Sequence, residues 1–130
     1  IFSIPSHGTF IMHPGICPDY RNSHGCFWAI ANEDYDNIGM TFLKVDKGID
    51  TGPIFAYFKV HIDKTKPLLS HNIIQIKSLF DNLDGLKIKL KEIYNNQISP
   101  IKVSNRNSKL WGQPWLTEFI KIKLRSIKNA

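Results

Sequence analysis

An α/β fold is predicted by two features of this sequence. Three runs with β-like composition, residues 9–12, 39–45 and 54–62, are separated by a short helical pattern and by loops rich in Gly, Pro and Asp. Beyond them, from Leu68 to about Asn95, apolar residues return every three or four positions, the period of a helix packed on one side. Strand, loop, helix, strand, loop, strand, helix is an α/β order.

Each element has a local reason. Residues 9–12, TFIM, form a short apolar run that reads as a buried strand. It ends at His13, and Pro14 and Pro18 then bracket a loop, since proline is excluded from a central strand. Ser23 is a suitable N-cap for a helix running to about Asn32, with Phe27, Ile30 and Ala31 sharing a face. EDYDN, residues 33–37, is a polar turn, and Gly39–Val45 is a second apolar strand. The loop DKGIDTGP, residues 46–53, leads into IFAYFKVHI, residues 54–62, whose strict alternation marks a half-buried strand. In the helical region Ile73, Ile76, Leu79, Phe80 and Leu83 form the expected apolar stripe, and Gly85 is the expected point of division. Residues 96–115 read as an extended arm. The closing stretch LTEFIKIKLRSIKN fits a strand or a helix, and a helix docked late on the domain is the reading adopted. The domain boundaries expected from this are 1–95 for the α/β part and 96–130 for a C-terminal extension of arm plus terminal helix.

Composition bounds the function. The chain has 130 residues, 42% hydrophobic and 22% charged, the balance of a globular domain. No apolar run approaches the length of a membrane helix, and no membrane partner is expected. The N-terminus, IFSIPSHG, has neither an initiator methionine nor a basic leader, so the expectation is a piece of a longer chain, without a signal peptide. The net charge of +6 is unevenly placed: residues 1–60 balance at −2 and residues 61–130 at +8. An RNA or a nucleotide-bearing molecule would suit the basic half. Because its lysines are spread out and not interleaved with stacking aromatics, a solvated surface is the simpler reading, and nucleic acid is not the expected partner. Cys17 and Cys26 lack companions at metal spacing and are read as free thiols, and no metal is expected. Trp28, Trp111 and Trp115 are read as packing residues, His61 and His71 as surface residues.

Two stretches carry chemistry. HPGICPDYRNSHGCFWAIAN, residues 13–32, followed by GMTFLKVDKGIDTGPIF, residues 39–55, resembles the folate-dependent formyltransferase family in motif order and spacing. That family ends a strand in Asn-x-His-Pro, runs through a Leu-Pro loop with an aromatic-basic pair, and returns in an acidic-x-Gly-Leu-Asp-Thr-Gly loop. The likeness is strong over residues 9–55 and weak after residue 62. It implies a Rossmann-like formyltransferase fold, a mostly parallel sheet flanked by helices, with the N-terminal β-α units missing here. It implies His13 and Asp50 as the catalytic pair. The loop Val45, Asp46, Lys47, Gly48 and Ile49 becomes the cofactor-binding segment, with 10-formyltetrahydrofolate as formyl donor. A small-molecule amine is the implied acceptor, a nucleotide-linked amino sugar among the candidates, and the cytoplasm the implied location. Arg21, Asn22 and His24, in the loop after His13, are the substrate-binding candidates.

The residue types suit the reaction. An amine attacking a formyl carbon generates a negative oxygen and a positive nitrogen. An imidazole such as His13 can stabilise the former, and a carboxylate such as Asp50 can accept the amine's proton. Gly48 and Gly52 permit the tight turns that bring Asp50 back to the strand end. Pro14 and Pro18 stiffen the loop behind His13. Taken alone, a histidine at a strand end is more often structural, and Asp-Thr-Gly-Pro is ordinary turn material; only the pairing of both motifs turns the reading toward catalysis. His24 reads equally as a helix-start residue and Arg21 as half of a surface ion pair. One departure stands out: Ile11 occupies the position of the family's Asn, on the same strand face as His13. Asn22 and His24 are the nearest groups that could replace it. Hydrolysis of the formyl folate by water, and binding without catalysis, remain the alternatives.

Overall fold

The computed structural model describes residues 4–62 and 70–128; the start of the expected helical region, Leu68 and Leu69, lies outside them. Strand β1 (Phe10–His13) is followed by the two-residue strand β2 (Arg21–Asn22), helix α1 (Gly25–Ala31) and a single 3-10 turn, Tyr35–Asn37. Strands β3 (Gly39–Lys44) and β4 (Ile54–Lys59) complete the sheet. Helices α2 (His71–Asp81) and α3 (Leu83–Tyr94), strand β5 (Leu110–Trp111) and helix α4 (Leu116–Lys128) follow.

The main sheet has the order β1-β3-β4, and both of its pairings are antiparallel. Chain order explains why this differs from the mostly parallel sheet expected. The nine residues between β3 and β4 suit an antiparallel return, whereas parallel neighbours need a crossover of a dozen residues or more. The one parallel pairing among the described residues joins β2 to β5. It makes the arm more ordered than expected.

Opposed residues of an antiparallel pair share a face. One row therefore runs His13–Thr41–Tyr57, with Ile11 beside Leu43. On the opposite face Phe42, Ala56 and Phe58 pack with Phe10 and Met12 of the sheet and with Leu86 and Ile93 of α3. Strand β3, flanked on both edges, is buried along its first five residues, as expected. Strand β4 alternates as its sequence does. Strand β1 is an edge, and Ile11 on it is 37% exposed rather than buried.

The core around α1 holds Tyr20, Cys26, Ala29, Ile30, Ile38 and Ile74. Helix α1 starts at Gly25, after His24 in the left-handed region (φ 55°), so Ser23 is not its cap. Ser23 instead gives its N–H to the Trp111 carbonyl. Helix α2 is capped by Ser70, which accepts from the Ile73 N–H. It turns Ile74 and Ser78 inward, not the expected stripe: Ile73, Ile76 and Phe80 are exposed. The Ser78 hydroxyl donates to the Phe58 carbonyl at 2.9 Å, so the polar residue on the inward face of α2 is satisfied by the sheet. The division from α3 falls at Asn82, whose side-chain amide donates to the Ser78 carbonyl, three residues before Gly85. His71 is no surface residue: its ring wedges between Phe27, Phe119 and His24. Burial, and secondarily the charge of His24, lowers its pKa. His61 is exposed. Trp28 and Trp111 stack at 4.7 Å, whereas Trp115 is 80% exposed and packs on little.

Candidate active site

His13 ends β1 with only 5% of its surface exposed. Both ring nitrogens face partners. Nε2 lies 2.7 Å from the Tyr20 carbonyl oxygen. A carbonyl can only accept, so Nε2 carries a proton and donates it. Nδ1 lies 3.4 Å from Asp50 Oδ2, a distance at the loose end for a hydrogen bond. The same carboxylate oxygen accepts the Asn22 backbone N–H at 2.8 Å.

The sheet face beneath His13 builds this arrangement. Thr41, opposite His13, donates its hydroxyl to the Gly15 carbonyl at 2.6 Å and accepts the Cys17 N–H at 2.9 Å. Tyr57, next in the row, donates to the Cys17 carbonyl at 2.8 Å. Three bonds thus clamp the loop that follows His13 onto the sheet. Gly15 is needed at the point of closest approach: a Cβ there would stand 2.5 Å from the Tyr20 oxygen and 2.8 Å from His13 Nε2. The loop then turns so that Tyr20 and Asn22 face the two members of the pair.

The second loop is shaped from within. Asp46 Oδ1 accepts from the Gly48 N–H at 2.9 Å and from the Thr51 hydroxyl at 2.8 Å, an Asx turn that folds residues 46–51 back on themselves. A Cβ at Gly52 would overlap the Lys44 carbonyl oxygen, so this close approach requires glycine. Asp50 itself adopts φ 51°, unusual for a non-glycine residue, and Asn22 adopts φ 74°. Two residues with left-handed backbones, joined by a bond from the Asn22 N–H to the Asp50 carboxylate, are the kind of local strain that surrounding structure must hold in place.

The structure brings His13, Asp50, Arg21 and Asn22 together. The Arg21 guanidinium donates to the Ile49 carbonyl at 3.1 Å, tying the two loops, while its Nε is buried without a partner. The Asn22 side chain does not face His13: it donates to the Trp111 carbonyl at 2.7 Å. His24 is likewise turned to the arm, with Nε2 2.7 Å from Gln113 Oε1. Neither side chain stands in for the missing Asn at Ile11. Two clefts of about 340 Å³ each border this region. One lies between Asp50–Ile54 and the arm residues Ile101, Val103 and Arg106, with Arg21 and Cys17 in its wall. The other is lined by Val45, Asp46 and Lys47 with Pro5, Ser6 and Gly8.

Burial disfavours both thiolates. Burial, reinforced by the negative charge of Asp50, pushes Cys17 up to about 12, and burial pushes Cys26 up to about 11. Both are free, and a protonated thiol is a poor nucleophile. Among the described residues no cluster of His, Cys, Asp and Glu could hold a metal ion. Thr41, Tyr57 and Tyr20 were not legible as site residues. Tyr20 contributes through its backbone, and the hydroxyls of Thr41 and Tyr57 could have been suspected only from polar residues on an otherwise apolar strand.

No family model matches this sequence. A methionyl-tRNA formyltransferase of Ehrlichia ruminantium (strain Welgevonden) is 31% identical over 96 residues, 74% of this chain and 29% of that protein. An N-formyltransferase from Helicobacter canadensis, solved with folinic acid and dTDP-3-aminofucose, superposes with a TM-score of 0.65 at 24% identity, over 78% of this chain and 36% of that one. A sugar 3N-formyltransferase, WlaRD, solved with dTDP and 5-N-formyl-THF, gives a TM-score of 0.64 at 25% identity over the same shares. The chain therefore spans roughly a third of the proteins it resembles.

Proposed function

The chain belongs to the folate-dependent formyltransferase family, and from that premise we propose that it transfers a formyl group from 10-formyltetrahydrofolate to an amine of a small acceptor. The observation that carries the reading is the His13–Asp50 pair at 3.4 Å, held by two converging loops that border open clefts. In this reading residues 1–95 are the catalytic part, and the extension 96–130 returns an arm to the site.

The residues have the capacities the reaction needs. As the amine nitrogen bonds to the formyl carbon, its proton passes to Asp50, directly or through one water, and leaves with the departing nitrogen of the donor. His13 Nε2 is committed to the Tyr20 carbonyl, so Nδ1 is the nitrogen left for the reacting centre; once the ring carries a second proton, on Nδ1, that proton is donated to the developing oxyanion in exchange for the looser contact with Asp50. The Val45–Ile49 loop suits a flat heterocycle. Val45 helps to line a cleft, and Ile49, 53% exposed, offers apolar surface beside backbone polar groups. The 340 Å³ cleft on the Asp50 side, walled by Arg21, Ile101 and Arg106, is the place for the acceptor. A nucleotide-linked amino sugar, as bound by the Helicobacter canadensis protein, is the acceptor class favoured.

A second reading, binding of formyl folate without transfer, draws on Ile11, which presents no hydrogen-bond donor beside His13. One experiment separates the readings: consumption of 10-formyltetrahydrofolate by the full natural chain, with and without a panel of small amines. Amine-dependent consumption is expected. Consumption that ignores the amine means hydrolysis by water, and saturable binding with no consumption means the second reading.

A further inference from the structure

One tripeptide touches both members of the pair. The Tyr20 carbonyl holds His13 Nε2, and two residues later the Asn22 N–H holds Asp50 Oδ2. The spacing of the pair is therefore set by the conformation of residues 20–22. That segment cannot set itself: β2 is two residues long, and Asn22 sits in the left-handed region.

Its support comes from the far end of the chain. The Arg21 N–H donates to the Lys109 carbonyl at 3.1 Å, and the Ser23 N–H to the Trp111 carbonyl at 3.3 Å. The Asn22 side chain adds a bond to the same Trp111 carbonyl at 2.7 Å. The Trp111 ring stacks on Tyr20 at 5.8 Å, and its Nε1–H donates to the Asp19 carbonyl at 2.8 Å. Lys109 lies 3.6 Å over that ring and Trp28 stacks on it, so Trp111 is itself held. Every one of these contacts reaches residues 19–23 or the aromatic that grips them.

We propose that Trp111 is a positioning residue for the His13–Asp50 pair, acting through the 20–22 segment. The docked arm fixes which nitrogen of His13 is protonated and how far Nδ1 stands from Asp50. The role is one of positioning, because the bonds and ring contacts of Trp111 run to residues 19–23, Trp28 and Lys109 and not to His13 or Asp50. Its catalytic consequence rests on the function proposed above; its geometric content does not.

The test uses the full natural chain labelled with ¹⁵N-histidine, His13 being assigned by its loss in His13→Gln. In the wild type, ¹H–¹⁵N imidazole spectra are expected to show His13 as a single tautomer with its proton on Nε2. In Trp111→Ala, His13 is expected to exchange between tautomers while exposed His61 keeps its wild-type signals. Trp111→Phe, which retains a stacking ring, is expected to restore most of the wild-type His13 pattern. Asn22→Gly, tolerated at φ 74° and leaving the stack intact, tests the same link through the bond to the Trp111 carbonyl and is read in the same way should Trp111→Ala not fold. In the transfer assay kcat is expected to fall about 10- to 100-fold in Trp111→Ala with KM for the amine little changed. A folded Trp111→Ala or Asn22→Gly protein whose His13 spectrum matches the wild type overturns the proposal. A wild type with no amine-dependent transfer overturns the functional reading alone, and the spectra still decide the positioning role.

Discussion

Residues 10–62 and residues 70–128 dispose of their apolar side chains in opposite ways. In the strand-and-loop half, buried residues run from His13 to Val60 and include Thr41. In the helical half Ile74 is the sole member of the hydrophobic core among the described residues. Ile73, Ile76, Phe80, Ile88, Leu90, Ile120, Leu124 and Ile127 are all exposed. Helix α4 buries no residue at all. Charge divides along a similar line, −2 for residues 1–60 and +8 for residues 61–130. The contrast teaches where rigidity resides. The candidate pair lies where side chains are packed, and the helical half braces it through the arm.

The contrast can be tested on neighbouring isoleucines of one helix. Ile74→Ala is expected to cost about 2–5 kcal/mol in chemical denaturation, because it empties a fully buried site. Ile76→Ala, at a residue 58% exposed, is expected to stay within about 0.5 kcal/mol of wild type. Equal costs would mean that the exposed stripe is covered in solution.

Ile11 is the exception within the tight half, an exposed apolar residue beside a buried histidine. Ile11→Asn places a donor on the His13 face, and the transfer rate is expected to rise by up to about 10²-fold. An unchanged rate would show that a donor at this position does not reach the reacting oxygen. Thr41→Val keeps the shape and removes one hydroxyl. It leaves the Gly15 carbonyl and the Cys17 N–H without their partner, at an expected cost of about 1–3 kcal/mol by thermal or urea unfolding.

The smallest effect is an alkaline one. Burial raises Cys17 from 9.0 to about 12 and Cys26 to about 11, so the unfolded chain loses these protons first. Stability contributed by the neutral thiols is full below pH 9 and is lost as pH rises toward about 12. Tyr20, also raised to about 12 by burial, adds to the same window. Urea unfolding midpoints between pH 8 and 11 should fall, and Cys17→Ser/Cys26→Ser should fall less steeply.

Strands β3 and β4 were legible because their apolar and alternating patterns carry their burial directly. The two motifs located His13 and Asp50, and the structure brings them to 3.4 Å. The rest was hidden for identifiable reasons. The inward face of α2 pairs Ile74 with Ser78, whose hydroxyl bonds to the Phe58 carbonyl, and hydrophobic periodicity ignores a serine. Ser23 lost its expected cap role because His24 takes the left-handed region and the helix starts only at Gly25, while the Ser23 N–H pairs with Trp111, a bond that no local pattern signals. Strand β5 was unreadable for the same reason: two residues pairing with two others leave no periodicity.

The most direct measurement compares wild type with Asp50→Asn for amine-dependent loss of formyl from 10-formyltetrahydrofolate, with donor binding measured alongside. The account predicts a rate lowered about 10²- to 10⁴-fold with donor binding retained, since the amide keeps the contact to the Asn22 N–H but cannot accept the proton. Equal transfer rates in a folded Asp50→Asn protein would contradict the claim that the His13–Asp50 pair carries the chemistry.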